Sequence, residues 1–322
     1  MIVLWRVTTH CNLGCAYCAY DRNLSLPRVD VDADSVVRLA RLLAEYQLRT
    51  GDAVMISWLG GEPLLWKPLA SISKLLSTEL GLQLSATTNG TALKSATLRQ
   101  MIVEHFAELT VSVDGPQPFH DHIRQWPGGF EQLRASVMKL RADTQHRERR
   151  LRLRVNTVLM AQNIHRFGEL CEQLISWGID EITFNQLGGN DRPEFHRTHR
   201  LQPADVEALA HELPKLRDRL LAHGVRLSGG AQYLHRFRAS ASGERLPVSS
   251  CHPGQKFLFV DEQGRVAPCS FTLTEYGVPV DELRSLDDLM GLSERYAGAL
   301  EQRRSRWCDD CPSTQVFEKF VA

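Results

Sequence analysis

"IVLWRVTTHCNLGCAYC", residues 2–18, runs from an apolar, β-branched strand straight into a loop that carries Cys11, Cys15 and Cys18. Thiols this close together do not make a spread disulfide framework, and three of them are one ligand short of a closed metal site. The open fourth position is where chemistry is expected. On the residues alone, a zinc site borrowing His10, or plain buried thiols, remain alternatives.

Outward from this loop, apolar runs alternate with helical patterns. Strands are predicted at 2–8, 53–59, 82–89, 109–114, 151–159 and 180–187. Helices are predicted at 32–51, with an Asp start and a Gly stop, and near 66–80, 94–106, 130–142 and 164–177. Six strands alternating with helices mean a parallel sheet, either an incomplete (β/α)6 barrel or an open doubly wound sheet. A polar stretch at 188–200 and a long helix near 203–223 follow. "KFLFVDEQGRVAPC" (256–269) reads as a hairpin around a turn ending in Gly264. The expected organisation is a core at 1–190, a linking helical segment at 191–229, and a smaller unit at 230–322 whose own core is too thin to stand alone.

The 322 residues are 43% hydrophobic, and Lys plus Arg balance Asp plus Glu at 38 each. Zero net charge gives no argument for a nucleic-acid partner, and "RERRLRLR" (147–154) reads as a solvated helix–strand junction. There is neither a signal-peptide pattern at the N-terminus nor an apolar run approaching a membrane span. The expected setting is the cytoplasm, where thiols stay reduced and clustered cysteines read as metal ligands.

Distinctive residues gather where the strands end: the three cysteines, "GGEP" (60–63), "TTNG" (87–90), "SVDG" (112–115), Asn156, and Asn185 with Gln186. Ligands of parallel α/β folds bind at that rim. In this context Cx3CxYC resembles the signature of the radical S-adenosylmethionine (SAM) superfamily, over about residues 2–187 by motif order. The resemblance implies a partial TIM-like barrel and a 4Fe–4S cluster on Cys11, Cys15 and Cys18 whose open iron binds SAM. It further implies that the loop at Tyr17 meets the adenine and that Gly60, Gly61 and Glu62 hold the SAM amino group. Ser112 and Arg124 would take the SAM carboxylate, with Asn89 and Asn156 at the same rim. Bland alternatives are a surface arginine and turn-capping asparagines.

Cys251, Cys269, Cys308 and Cys311 give Cx17C, a gap, and Cx2C. This resembles the SPASM/twitch extensions of radical SAM enzymes in the shorter form, with one auxiliary 4Fe–4S cluster. The same spacing could also build a zinc ribbon. Cys171 falls on an apolar helical face and reads as core, Glu169 and Glu172 as solvated, and His120, Asp121 and His122 as part of the loop bearing Arg124.

The resemblance implies reductive SAM cleavage, hydrogen abstraction from an unactivated carbon, and oxidation of the substrate radical through the auxiliary cluster, with a flavodoxin- or ferredoxin-type electron donor. A small sugar-like or aminocyclitol substrate is expected on the single four-cysteine site. Peptide maturation and aminoglycoside epimerisation are the alternatives within the family, and an iron–sulfur or zinc electron carrier or regulator the alternative outside enzymes. No catalytic base or hydrogen donor is legible.

Overall fold

The computed structural model describes residues 1–144 and 150–320. Six strands, β1 (Ile2–Thr8), β2 (Met55–Gly60), β3 (Gln83–Thr88), β4 (Glu108–Ser112), β5 (Arg152–Leu159) and β6 (Glu181–Gln186), form the frame. Each pairs in parallel with the next. The spatial order follows the chain order without reversal. A doubly wound sheet reverses its order at a switch point, so the winding is of the barrel type.

The connecting helices are α1 (Ala33–Thr50), α2 (Leu69–Lys74), α3 (Ala96–His105), α4 (Gln117–Ile123), α5 (Gly129–Thr144) and α6 (Phe167–Ile175). The predicted signals of α1 act as read: Asp32 accepts from Ser35 N at 2.8 Å, and Gly51 closes the helix at φ 75°. Val3, Trp5 and Val7 of β1 are fully buried in the main core. The alternate residues, Ile2 and Leu4, turn to a cavity inside the strands, with Ser57, Ser85, Thr110 and Asn156. That lining mixes apolar with many polar side chains, and it leaves a chamber where a closed barrel would be filled with apolar layers.

Four further strands extend the sheet. β7 (Arg226–Leu227) pairs in parallel with β6. At the other edge β8 (Phe257–Val260) pairs in parallel with β1, followed by the antiparallel β9 (Arg265–Ala267) and β10 (Val278–Pro279). The predicted hairpin therefore adds to the barrel sheet, and its Leu258, Val260 and Val266 join the main core. This explains why that region reads as too thin to stand alone. Gly264 sits at φ 72° in the β8–β9 turn, where Asp261 Oδ1 accepts from Gln263 N and Arg265 N.

Some expectations change. The polar stretch at 188–200 contains the helix α7 (Pro193–His199), and after α8 (Pro203–Ala222) comes another, α9 (Ala231–Ser242). Of "RERRLRLR", residues 147–149 lie outside the described residues. Arg150, between α5 and β5, and Arg152, in β5, are solvated as expected, whereas the Arg154 side chain is largely buried between Glu108 and Glu181. Among the described residues no helix is long and apolar enough to cross a membrane.

Candidate active site

The end of β2 locks the cysteine loop. Gly61 N donates to Thr8 O at 2.8 Å and Glu62 N to His10 O at 2.7 Å. A Cβ on Gly61 would stand 2.3 Å from His10 O, so only glycine permits this approach. Gly61→Ala is expected to push the two turns apart, costing about 1–3 kcal/mol. The check is the denaturant midpoint together with the iron retained after reconstitution, both of which should fall.

Glu62 is fully buried. Its Oε1 accepts from Leu64 N at 3.0 Å and Thr88 Oγ1 at 2.6 Å, and its Oε2 from Asn89 N at 2.6 Å. Burial raises its pKa to about 7 against these hydrogen bonds. Its side chain thus ties the cysteine loop to the end of β3. Asn89 does cap a turn, accepting from Thr91 N at 2.9 Å, but its Nδ2 also reaches Asn12 Oδ1 at 3.0 Å and Cys11 Sγ at 3.8 Å.

Past β4, Asp114 is the hub. It is completely buried and accepts from Tyr17 OH at 2.7 Å, Arg124 Nε at 2.9 Å and Val158 N at 3.0 Å. Arg124 is therefore no surface residue. Burial opposes its charge, but Asp114 and Tyr17 hold it protonated. Its Nε is committed to Asp114, and among the described residues no hydrogen bond is recorded at its Nη atoms. A guanidinium with both Nη atoms open is a fork for a carboxylate. Ser112 is in register with Asn156 on β5, at the same strand end from which Asp114 reaches Arg124. Asn156 lies in the chamber wall, where its Oδ1 accepts from Thr183 Oγ1 at 3.1 Å and Lys319 Nζ at 3.0 Å.

His120 is buried and its pKa falls to about 3, chiefly through desolvation, so the ring is neutral and accepts from Asp114 N at 3.3 Å. Asp121 caps Gly128 N and Phe130 N. These residues are scaffold for the Arg124 loop. Cys171 is buried on the core face of α6, as expected, and Glu169 and Glu172 pair at the surface with Arg166 and Arg219.

Two cysteine sets flank one cavity. Cys11, Cys15 and Cys18 are close enough to influence one another, and burial pushes the Cys15 thiol up to about 12 and Cys18 to about 11. Thiolates there need a positive counter-charge, which bound iron provides. Cys251, Cys269, Cys308 and Cys311 line a single pocket with Phe257, Pro268 and Val316. Among the described residues no three His, Cys, Asp or Glu side chains are gathered as a single-ion site. A four-iron cluster puts each sulfur on its own iron and spreads its ligands more widely than a single zinc ion does, and four thiols are a donor set for either group. Between the sets lies a cavity of about 730 Å³ lined by Tyr20, two residues after Cys18, and by Ser270 and Trp307, neighbours of Cys269 and Cys308. Arg6, Phe259 and Phe271 also line it, with the charged Asp191, Glu275 and Arg306.

The Radical SAM superfamily model matches residues 5–174, which include the cysteine loop and Arg124. The chain belongs to the radical SAM superfamily. Among curated relatives, the AdoMet-dependent heme synthase of Methanosarcina barkeri is 25% identical over 286 residues, 84% of this chain and 76% of the relative. The PqqA peptide cyclase of Xanthomonas campestris is 26% identical over 325 residues, 98% of this chain and 80% of the relative. Among solved structures, Streptococcus suis SuiB bound to its precursor peptide SuiA superposes with a TM-score of 0.68 at 15% identity, covering 98% of this chain and 70% of SuiB. In the SAM-bound SuiB structure this chain spans 64% of the SuiB chain. At such identity the superposition shows the shared fold, the radical SAM barrel.

Missed from the sequence were Asp114, inside a quoted motif but given no role, and the polar side chains lining the chamber. The second left a signal: Arg152, Arg154 and Asn156 alternate with Leu153 and Val155 along "RLRVN".

Proposed function

We propose that this radical SAM protein binds SAM above the Cys11, Cys15 and Cys18 loop, cleaves it reductively to methionine and a 5′-deoxyadenosyl radical, and takes a hydrogen atom from an unactivated carbon of a peptide. The observation that carries this is the meeting at one rim of three thiols and a buried arginine with open Nη atoms, above a chamber lined in part by polar side chains. A four-iron cluster on these cysteines supplies the electron for cleavage and an open iron for the SAM amine and carboxylate. Arg124 takes the SAM carboxylate, Asp114 holds Arg124 and Tyr17 in place, and the Gly60–Glu62 turn receives the amino group. Ser112, Asn89 and Asn156 are assigned supporting contacts at and below the same rim.

Arg124→Lys keeps the charge and loses the planar fork. SAM affinity is expected to fall about tenfold with the visible absorbance of the reconstituted protein unchanged. Equilibrium binding of SAM to the two proteins checks this, and equal affinity would remove Arg124 from the SAM site.

For the substrate, peptide replaces the sugar-like class expected from the cysteine count. Its support is the relatives: one is a peptide cyclase, and SuiB has been solved with a precursor peptide. Cys251, Cys269, Cys308 and Cys311 are assigned to an auxiliary four-iron cluster bordering the same cavity, an electron acceptor, and a flavodoxin- or ferredoxin-type protein is the proposed reductant. Seven cysteines are thereby ligands, and the eighth, Cys171, is fully buried on the core face of α6. It cannot return a hydrogen atom to a substrate radical in the cavity, so the net reaction is a two-electron oxidation.

The test incubates reduced protein and SAM in deuterium oxide with peptides encoded in the small reading frames beside its gene. A product lighter by two hydrogens, with 5′-deoxyadenosine formed in step, is expected. A redox-neutral product carrying carbon-bound deuterium, lost in Cys171→Ala, would overturn the oxidation. Turnover of sugars and not peptides would overturn the substrate class.

A further inference from the structure

The chamber below the cysteine loop has a floor, and the C-terminal segment makes it. Thr314, Gln315, Lys319 and Phe320 line a cavity of about 570 Å³ with the inward residues of β1–β6. Lys319 is only 8% exposed, and its Nζ donates to Asn156 Oδ1 at 3.0 Å, a neutral acceptor. Phe320 lies under the Arg154 guanidinium at 5.1 Å and against the Lys319 amine at 5.3 Å.

The charges around this amine are already spent on one another. Glu108 pairs with Arg152 at 3.1 Å and Arg154 at 3.0 Å. Glu181 pairs with Arg154 at 2.8 Å and Arg226 at 2.6 Å, and takes the Ser228 hydroxyl as well. Four cations, counting Lys319, thus share two carboxylates, and among the described residues no carboxylate is recorded in ion-pair contact with Lys319. Desolvation first, and Arg154 second, lower its pKa to about 7, with Glu181 pulling the other way. A surplus charge on so buried a side chain either sheds its proton or takes an anion. The protonated amine has three donors, of which Asn156 uses one. The cavity wall adds neutral donors in the Thr110 hydroxyl and the second Nδ2 hydrogen of Asn185.

We propose that Lys319 and Asn156 form a carboxylate-binding subsite in the floor of the chamber, which holds an acidic group of the peptide substrate beneath the SAM site. The proposal rests on the peptide of the proposed function reaching from the cavity between the two cysteine sets into this chamber, the two sharing Leu59 in their walls. A carboxylate suits it better than a phosphate, because the arginine forks that grip phosphate bidentately are committed to Glu108 and Glu181. Binding restores the proton to Lys319, so it takes up a proton near neutrality and weakens as pH rises past about 7.

The experiment needs neither SAM nor turnover, so its failure is distinct from failure of the SAM-cleaving assignment. Reconstituted protein is pulsed with acetic anhydride across pH, and acetylation of Lys319 is followed by peptide mass spectrometry. Three probes are compared: N-acetyl-glutamate amide, its neutral isostere N-acetyl-glutamine amide, and inorganic phosphate. Without a probe the labelling midpoint should lie near 7. The glutamate probe should raise it by about one pH unit, slowing labelling at neutral pH roughly fivefold, whereas the glutamine probe should do nothing. An ordinary lysine midpoint, equal labelling with both amides, or phosphate protecting as well as glutamate would each overturn the proposal.

Discussion

Replacing Cys11, Cys15 and Cys18 together with alanine should halve the iron of the anaerobically reconstituted protein, from about eight atoms to about four, and abolish SAM cleavage. Each alanine removes a thiol from the loop assigned to the cluster, where burial first, and the neighbouring thiols after it, raise the Cys15 and Cys18 pKa values to about 12 and about 11 until iron supplies a counter-charge. The remaining iron should sit at Cys251, Cys269, Cys308 and Cys311, which line a separate pocket. Stability should change little beyond the lost cluster, because Asn89 and the Gly61 turn still anchor the loop through Asn12, Thr8 and His10. Iron counting with 5′-deoxyadenosine detection decides it. A triple variant that still cleaves SAM would move the site elsewhere.

Asp114→Ala should be the most damaging single substitution that touches no cysteine. It strips Arg124 of its ion pair, Tyr17 OH of its acceptor and Val158 N of its partner, all in one fully buried place. Removing one partner of a buried pair leaves an uncompensated charge, at a cost of about 3–5 kcal/mol. Asp114→Asn should cost less, since an amide oxygen still serves one of the donors, but it should weaken SAM binding because Arg124 loses its anchor. Urea denaturation of the three proteins checks the order wild type, Asn, Ala. An alanine variant within about 0.5 kcal/mol of wild type would remove Asp114 as the organiser of this rim.

The frame was legible because its strands are buried on their helix-facing side. Runs such as "IVLWRVT" carry Val3, Trp5 and Val7 at full burial, and the caps of α1 are written as Asp32 and Gly51. What escaped was short or remote. β7 is two residues long and gives no period to read, and α7 opens with Pro193 in a stretch whose glycines, Asn190 and Asp191 read as loop. At the site, the three thiols sit together in sequence and were plain. Asp114 was hidden because its meaning lies in Tyr17, 97 positions away, and in Val158, 44 positions away. Lys319 meets Asn156 across 163 positions, a contact that only the folded chain creates. Arg124 carried the right chemistry, yet its burial and its partner depended on how α4 packs over the end of β4.

The most direct test of the radical SAM assignment is made on the unmodified chain. Purified protein is loaded anaerobically with iron and sulfide until its iron content reaches a plateau, reduced with dithionite and given SAM. Chromatography with mass detection should then find 5′-deoxyadenosine and methionine in equal amounts, absent when reductant is omitted. Cluster-replete, reduced protein that leaves SAM intact would contradict the assignment of Cys11, Cys15 and Cys18 to an open, SAM-binding cluster.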